Sequence, residues 1–138
     1  MDLNVPASVE PEFFRHVLGH FPTGVAVVTS SDETGAAIGM TVGSFTSVSL
    51  SPPLVAFLPA KDSSTTAKIL RIGRFCVNVL GAHQELVSRS FAAKADRTFE
   101  GPHWTSSPAG LPLLTEPGAW TAGAGPAVPG GGDPDHRR

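Results

Sequence analysis

At 138 residues the chain has room for one domain. Hydrophobic residues make up 41% and charged residues 16%, enough for a modest core, and no apolar run approaches the roughly 20 residues that span a bilayer, which argues against a membrane helix. A formal net charge of −2 argues against a general nucleic-acid binder. The single cysteine, Cys76, excludes an internal disulfide and a cysteine-based metal cluster, so a reducing cytoplasm is the expected compartment.

Residues 1–10 read as a flexible leader, acidic and without the apolar stretch of a secretory signal. Pro11 opens a helix, since proline lacks only an N–H that the first turn leaves unbonded. Phe13, Phe14, Val17, Leu18 and Phe21 recur at three- and four-residue steps and make one apolar face, until Pro22 stops the helix. The β-branched run at 25–29 predicts a strand, SDETG at 31–35 a turn, and residues 37–42 a second strand, so the pair reads as a hairpin. Between 44 and 50 the pattern ends in alternation, Val48 and Leu50 on one face and Ser47 and Ser49 on the other, which predicts a half-buried strand broken by Pro52 and Pro53. Residues 54–58 are a continuous apolar strand. Ser63 or Ser64 caps a helix carrying Ile69, Leu70 and Ile72 and ending at Gly73. Residues 75–80 are a further strand, Leu86, Val87, Ser90 and Phe91 mark a short helix, and 94–112 are rich in turn formers.

Helices and strands do not alternate as in a βαβ chain, so an antiparallel, mainly β barrel with helices packed outside it is expected. From residue 121 the sequence TAGAGPAVPGGGDPDHRR offers almost nothing to bury. It reads as a disordered Gly/Pro-rich tail whose deletion leaves the fold nearly unchanged. The domain is expected to run from 11 to 120 with about five clear strands. Its C-terminal strands would then be missing and one sheet edge left open.

Two stretches carry chemistry. In GMTVGSFTSVS (39–49), small residues let backbone approach a flat ligand whose edge hydroxyls and N–H groups then bond; the same pattern also describes the polar face of an ordinary strand. In PAKDSSTT (59–66), a lysine and several hydroxyls precede a helix start, an arrangement that suits an anion and equally an ordinary capped helix. Taken together they suggest a phosphorylated aromatic cofactor, although neither has the glycine spacing of a P-loop or a dinucleotide fingerprint. His16 and His20 stand one helical turn apart, but no third ligand is placed beside them, and no metal is expected. Cys76 reads as a small buried hydrophobe and Asp96–Arg97 as a solvated pair.

The segments GHFPTGVAVVTSSDETGAAIGMTVGSFTSVSLSPP (19–53), FCVNVLGAHQELVSRSFA (75–92) and Phe99-x-Gly101-x-x-Trp104 together resemble, in the same order, the flavin reductase-like family of two-component flavin monooxygenases, over about residues 11–120. The resemblance implies an antiparallel split β-barrel (FMN-binding, Greek-key-like) with flanking helices, forming a homodimer. It implies binding of FMN or FAD, hydride transfer from NADH or NADPH to that flavin, and delivery of reduced flavin to an oxygenase component, with no nucleic acid and no membrane involved. By position, Ala37, Ile38, Gly39, Met40, Thr41, Gly43 and Ser44 match the segment lining the isoalloxazine and ribityl chain. Pro59, Ala60, Lys61, Asp62, Ser63 and Ser64 match the phosphate loop, and Pro22, Thr23 and Gly24 a turn near the nicotinamide. No catalytic acid, base or nucleophile is implied, because hydride transfer needs two rings in contact and water held off.

The chain departs from the family pattern at three places. Gly43 stands where members often carry Asn. Ser90 stands where members often carry Arg, with Arg89 one step and about 100° away around the helix. Asp135-His136 does not reproduce the Gly-Asp-His segment linked to nicotinamide binding. A flavin-binding module without turnover and a non-functional fragment are the alternative readings.

Overall fold

The computed structural model describes residues 9–60, 62–93, 99, 104–116 and 120–124. In chain order these form α1 (Pro11–Gly19), β1 (Ala26–Ser31), β2 (Ala37–Val42), β3 (Thr46–Leu50), β4 (Pro53–Ala56), α2 (Ser64–Ile72), β5 (Arg74–Val79), a 3-10 turn (Ala82–Gln84), α3 (Glu85–Ala92), β6 (Trp104–Ser106), β7 (Pro112–Leu114) and β8 (Trp120–Ala124). The fold is mainly β and antiparallel, with helices around it. Among the described residues the strands form three separate ladders, ordered β2-β1-β5-β8, β3-β4 and β6-β7, rather than one closed barrel.

β1 lies inside the four-stranded sheet and is buried on both faces, because its β-branched and small residues serve two cores. Ala26 and Val28 join Met40, Val42, Val77 and Ile69 of α2 on one face, with Phe45, Phe57 and Phe75 packed against them. On the other face Val27 and Thr29 stand beside Thr41, Gly39, Asn78 and Cys76 through the two antiparallel ladders. That face is covered by α3, by β7 and by the residue before it, with Leu111 and Leu113 packed on Cys76. The β1–β2 turn is shaped by its own hydrogen bonds: the Asp32 carboxylate accepts from the N–H groups of Thr34 and Ala36 and from the Thr34 hydroxyl, while Glu33 makes an exposed ion pair with Arg71 of α2 at 3.1 Å. The Thr34 hydroxyl is the largest influence holding Asp32 below its ordinary pKa.

α2 has the ends the sequence predicts. The Ser63 hydroxyl accepts from the N–H of Thr66 at 3.2 Å, and Gly73 takes the left-handed conformation with φ 71°. Ser63→Ala is expected to lower unfolding free energy by about 1 kcal/mol, read by urea denaturation. An unchanged midpoint would show that the helix start is held by other means.

Three expectations need correction. The tail does not begin at 121: residues 121–124 lie in β8 and pair with residues 74–77 of β5. Deleting 121–138 therefore strips most of a strand from the central sheet and is not a neutral change. Strands also occur at Trp104–Ser106 and Pro112–Leu114, where turn formers dominate the sequence. Finally, the apolar faces of α1 and β3 are not covered by the described residues of the chain. No residue of α1 is buried, Phe21 just beyond it is 71% exposed, and Val48 and Leu50 of β3 are exposed, Leu50 to 90%. The leader residues 1–8 and residues 125–138 lie outside the described residues.

Candidate functional site

The two stretches singled out in the sequence meet. The N–H of Leu58 donates to the Ser44 hydroxyl at 2.8 Å, and that hydroxyl donates to the Leu58 carbonyl at 3.2 Å, tying the end of β2 to the loop before α2. The Thr66 hydroxyl of α2 lies 3.4 Å from the Met40 sulfur of β2. Among the described residues β2 is an edge strand of its sheet, so part of its backbone N–H and C=O groups face no described strand. A flat ring lying along that edge can bond its polar rim to main chain. The first turn of α2 holds no acidic residue, and the Ser64 side chain is exposed there, as an anion requires. A strand edge beside an uncrowded helix start fits a ring carrying a phosphate.

The named side chains divide between the two faces of β2. Ile38 and Met40 belong to the core shared with α2. Gly39 lies under α3, where a Cβ would come within 2.6 Å of Phe91, and the Thr41 hydroxyl donates to the carbonyl of Ser88 at 2.8 Å. Ala37 and Gly43 are exposed. Of the loop residues, Pro59 is half-buried, Ala60 is exposed and accepts from the Ser63 N–H at 3.2 Å, and Asp62 is exposed. Lys61 lies outside the described residues. The hydroxyls of Thr41, Ser44 and Ser63 are thus engaged by the protein itself, which sequence spacing does not reveal.

A second concavity lies on the α3 side. It has a volume of about 380 Å³ and is bounded by Thr23, Val25, Leu80, Gln84, Glu85 and Ser88, among others. Gln84 was not singled out by the sequence reading; the Gly81-x-x-Gln84 spacing that lets it cap the Gly81 N–H at 2.9 Å was its visible trace. Arg89 is spent on Glu85, with its Nε at 2.9 Å and Nη2 at 2.6 Å from one carboxylate oxygen, and the Ser90 hydroxyl donates to the Leu86 carbonyl.

Burial pushes the Cys76 thiol above its ordinary pKa, as a core residue and not as a nucleophile. His16 and His20 are exposed and touch each other edge-on, with His20 Nδ1 at 2.9 Å from the His16 carbonyl. Among the described residues no three His, Cys, Asp or Glu side chains converge as metal ligands. His103, His136 and the Asp96–Arg97 pair lie outside the described residues.

Residues 18–133 match the family described as flavin reductase like domain. The chain is 49% identical over 116 residues to a flavin reductase of Pseudomonas putida, covering 84% of this chain and 68% of that protein. It is 44% identical over 108 residues to the flavin-dependent monooxygenase reductase subunit HsaB of Rhodococcus jostii, covering 78% of this chain and 55% of that one. The chain therefore spans about two thirds or less of the length of these relatives. Among solved structures it superposes with a TM-score of 0.80 and 38% identity on the NADH:FAD oxidoreductase SgcE6 of Streptomyces globisporus, which was solved in complex with NAD and FAD fragments; 91% of this chain and 78% of that one are covered.

Proposed function

The chain belongs to the flavin reductase like domain family, and we propose that it is an NAD(P)H-dependent flavin reductase that passes reduced FMN or FAD to an oxygenase component. The observation that carries this reading is the Ser44–Leu58 clasp, which brings the open edge of β2 against the loop leading to α2. Backbone groups of residues 37–44 would hold the ring, and the start of α2 with Ser64 would hold the phosphate, with Lys61 of the same loop adding positive charge. The bound flavin supplies the hydride acceptor. The protein's part is to fix the ring against a rigid strand and keep water away, so no side chain need donate or abstract a proton.

The uncovered apolar residues of α1 and of the β3–β4 hairpin support a homodimer. Phe13, Phe14, Val17 and Leu18 of α1 and Val48 and Leu50 of β3 are all exposed in the single chain, two apolar faces that a second copy would cover. Gel filtration is expected to give the mass of two chains. No helix among the described residues is long and apolar enough to cross a membrane.

Adding NADH or NADPH anaerobically to the FMN-loaded chain is expected to bleach the visible flavin band; a band that persists with both donors would leave a flavin-binding module. Ser44→Ala is expected to raise the FMN dissociation constant roughly tenfold, the size of one lost hydrogen bond at the clasp. Unchanged flavin affinity in that variant would reject this placement of the site.

A further inference from the structure

We propose that His16 and His20 of α1 bind a late first-row divalent ion such as Zn2+, Ni2+ or Cu2+, and that the bound ion staples the last turn of that helix. The inference is independent of the reductase reading and concerns a helix that takes no part in it.

Four positions apart, the two side chains stand one turn apart on one side of α1. The helix persists far enough to hold that spacing: His20 is its C-cap with φ −82° and ψ −11°, and its N–H bonds the Val17 carbonyl at 3.1 Å. Both side chains are exposed, and their ring centroids lie 4.9 Å apart. His20 Nδ1 is 2.9 Å from the His16 carbonyl. A carbonyl only accepts, so Nδ1 carries the proton and Nε2 carries the lone pair. Metal-binding imidazoles are prepared in the same way, one nitrogen donating to main chain so that the other is fixed as the ligand. The His16 ring has no hydrogen-bond partner among the described residues and is free to turn. An ion held at about 2.0–2.1 Å by each nitrogen needs the two roughly 3–3.5 Å apart, which rotation of that one ring can supply.

Charge favours the same place. α1 ends here, and the carbonyls of a last helical turn attract cations. Glu12 stands one turn before His16 on the same strip and adds negative charge, although no third ligand converges among the described residues. Arg15 points about 100° away around the helix. Two imidazoles, with water completing the coordination, select Ni2+, Cu2+ and Zn2+ over Mg2+ and Ca2+, which prefer oxygen. A site with only two protein ligands exchanges its ion and does not fold the chain.

The pair also stands clear of the apolar stripe. His16 precedes Val17 and His20 precedes Phe21, so each lies about 100° round from it. A second copy covering Phe13, Val17 and Phe21 would leave the imidazoles at its rim. No residue of α1 is buried, so packing within the chain does little to hold this short helix, and a bridge from 16 to 20 would.

The test is calorimetric titration of ZnCl2 into the full chain. H16Q and H20Q are each expected to weaken zinc tenfold or more, because a lone imidazole loses the chelate. R15H/H16Q keeps the number of histidines but spaces the pair by five, and is expected to bind no better than H16Q. Excess Mg2+ is expected not to compete. With Cu2+ as the probe, electron paramagnetic resonance is expected to show one nitrogen ligand fewer in H16Q than in the parent. Zinc is expected to slow amide hydrogen exchange in the last turn of α1 in the parent and not in H20Q. Without metal, H16Q is expected to match the parent in melting temperature and FMN affinity, since the side chain it replaces is exposed and outside the flavin site. Parent-like zinc affinity in H16Q, H20Q or R15H/H16Q would mean an adventitious ion only and would overturn the assignment, as would a parent chain that binds no zinc. Zinc binding that leaves amide exchange in α1 unchanged would overturn the staple.

Discussion

Phe91→Ala is expected to lower the unfolding free energy by about 3–5 kcal/mol, the usual cost of emptying a large buried aromatic position. Phe91 is 4% exposed and ties α3 to the sheet. Its ring centroid lies 4.9 Å from that of Phe99 and 5.6 Å from that of Trp104, both edge-on as aromatic pairs favour, and those two lie 4.8 Å apart with their planes tilted. The cluster presses on Gly39, where an added Cβ would stand 2.6 Å from Phe91 Cε1 and 3.2 Å from Phe99 Cζ. Gly39→Ala alone is therefore expected to cost about 1–3 kcal/mol by overpacking. In the Phe91→Ala background the same methyl enters vacated space, so the double variant should be less destabilised than the sum of the two. Strict additivity in chemical denaturation would show that strand and ring are not pressed together.

Asn78→Leu is the second large effect. Asn78 is 2% exposed and joins three strands. Its Nδ2 donates to the Val27 carbonyl and to the Thr29 hydroxyl, both at 3.2 Å, while its Oδ1 accepts from the N–H of Leu114 at 2.9 Å. The Thr29 hydroxyl in turn donates to the Pro112 carbonyl at 2.6 Å. A leucine fills the volume but strands the Leu114 N–H, and each buried group left unpaired costs about 1–3 kcal/mol. Asn78→Asp adds a pH signature. Burial raises the new carboxyl's folded pKa above its unfolded value of about 4, so the neutral form is the one the fold tolerates. The destabilisation therefore grows as pH rises from about 4 towards the folded pKa, because the unfolded chain ionises first. Urea midpoints measured across that range would reveal it, and a penalty independent of pH would contradict the buried network.

What the sequence made legible is what short-range chemistry decides. The hairpin of β1 and β2 follows from a β-branched run, a turn cluster and a second run, and the ends of α2 follow from a serine hydroxyl and a glycine. Pro52 and Pro53 mark the break between β3 and β4, which the chain makes with a cis peptide before Pro52. What stayed illegible is set by distant partners. β7 contains a proline and only three residues, and it is placed by Asn78, 36 positions earlier. β8 reads as tail because threonine, alanine and glycine bury little, yet residues 74–78 supply its ladder. In the candidate site the residue types were legible but their engagements were not: Thr41 faces Ser88, and Ser44 holds Leu58.

A central strand that feeds two cores also limits how the chain's length can change. Inserting or removing one residue at the start of Ala26–Ser31 would exchange the residues of β1 beyond it between their two environments, placing Val27 where Val28 belongs and Thr29 among the aliphatic groups around Ile69. Both interiors would be spoiled at once. The turn from Asp32 to Ala36 has no such obligation, since the bonds that shape it are its own. Grafted loops and affinity tags therefore belong at that turn, a few residues from a strand that tolerates no such change.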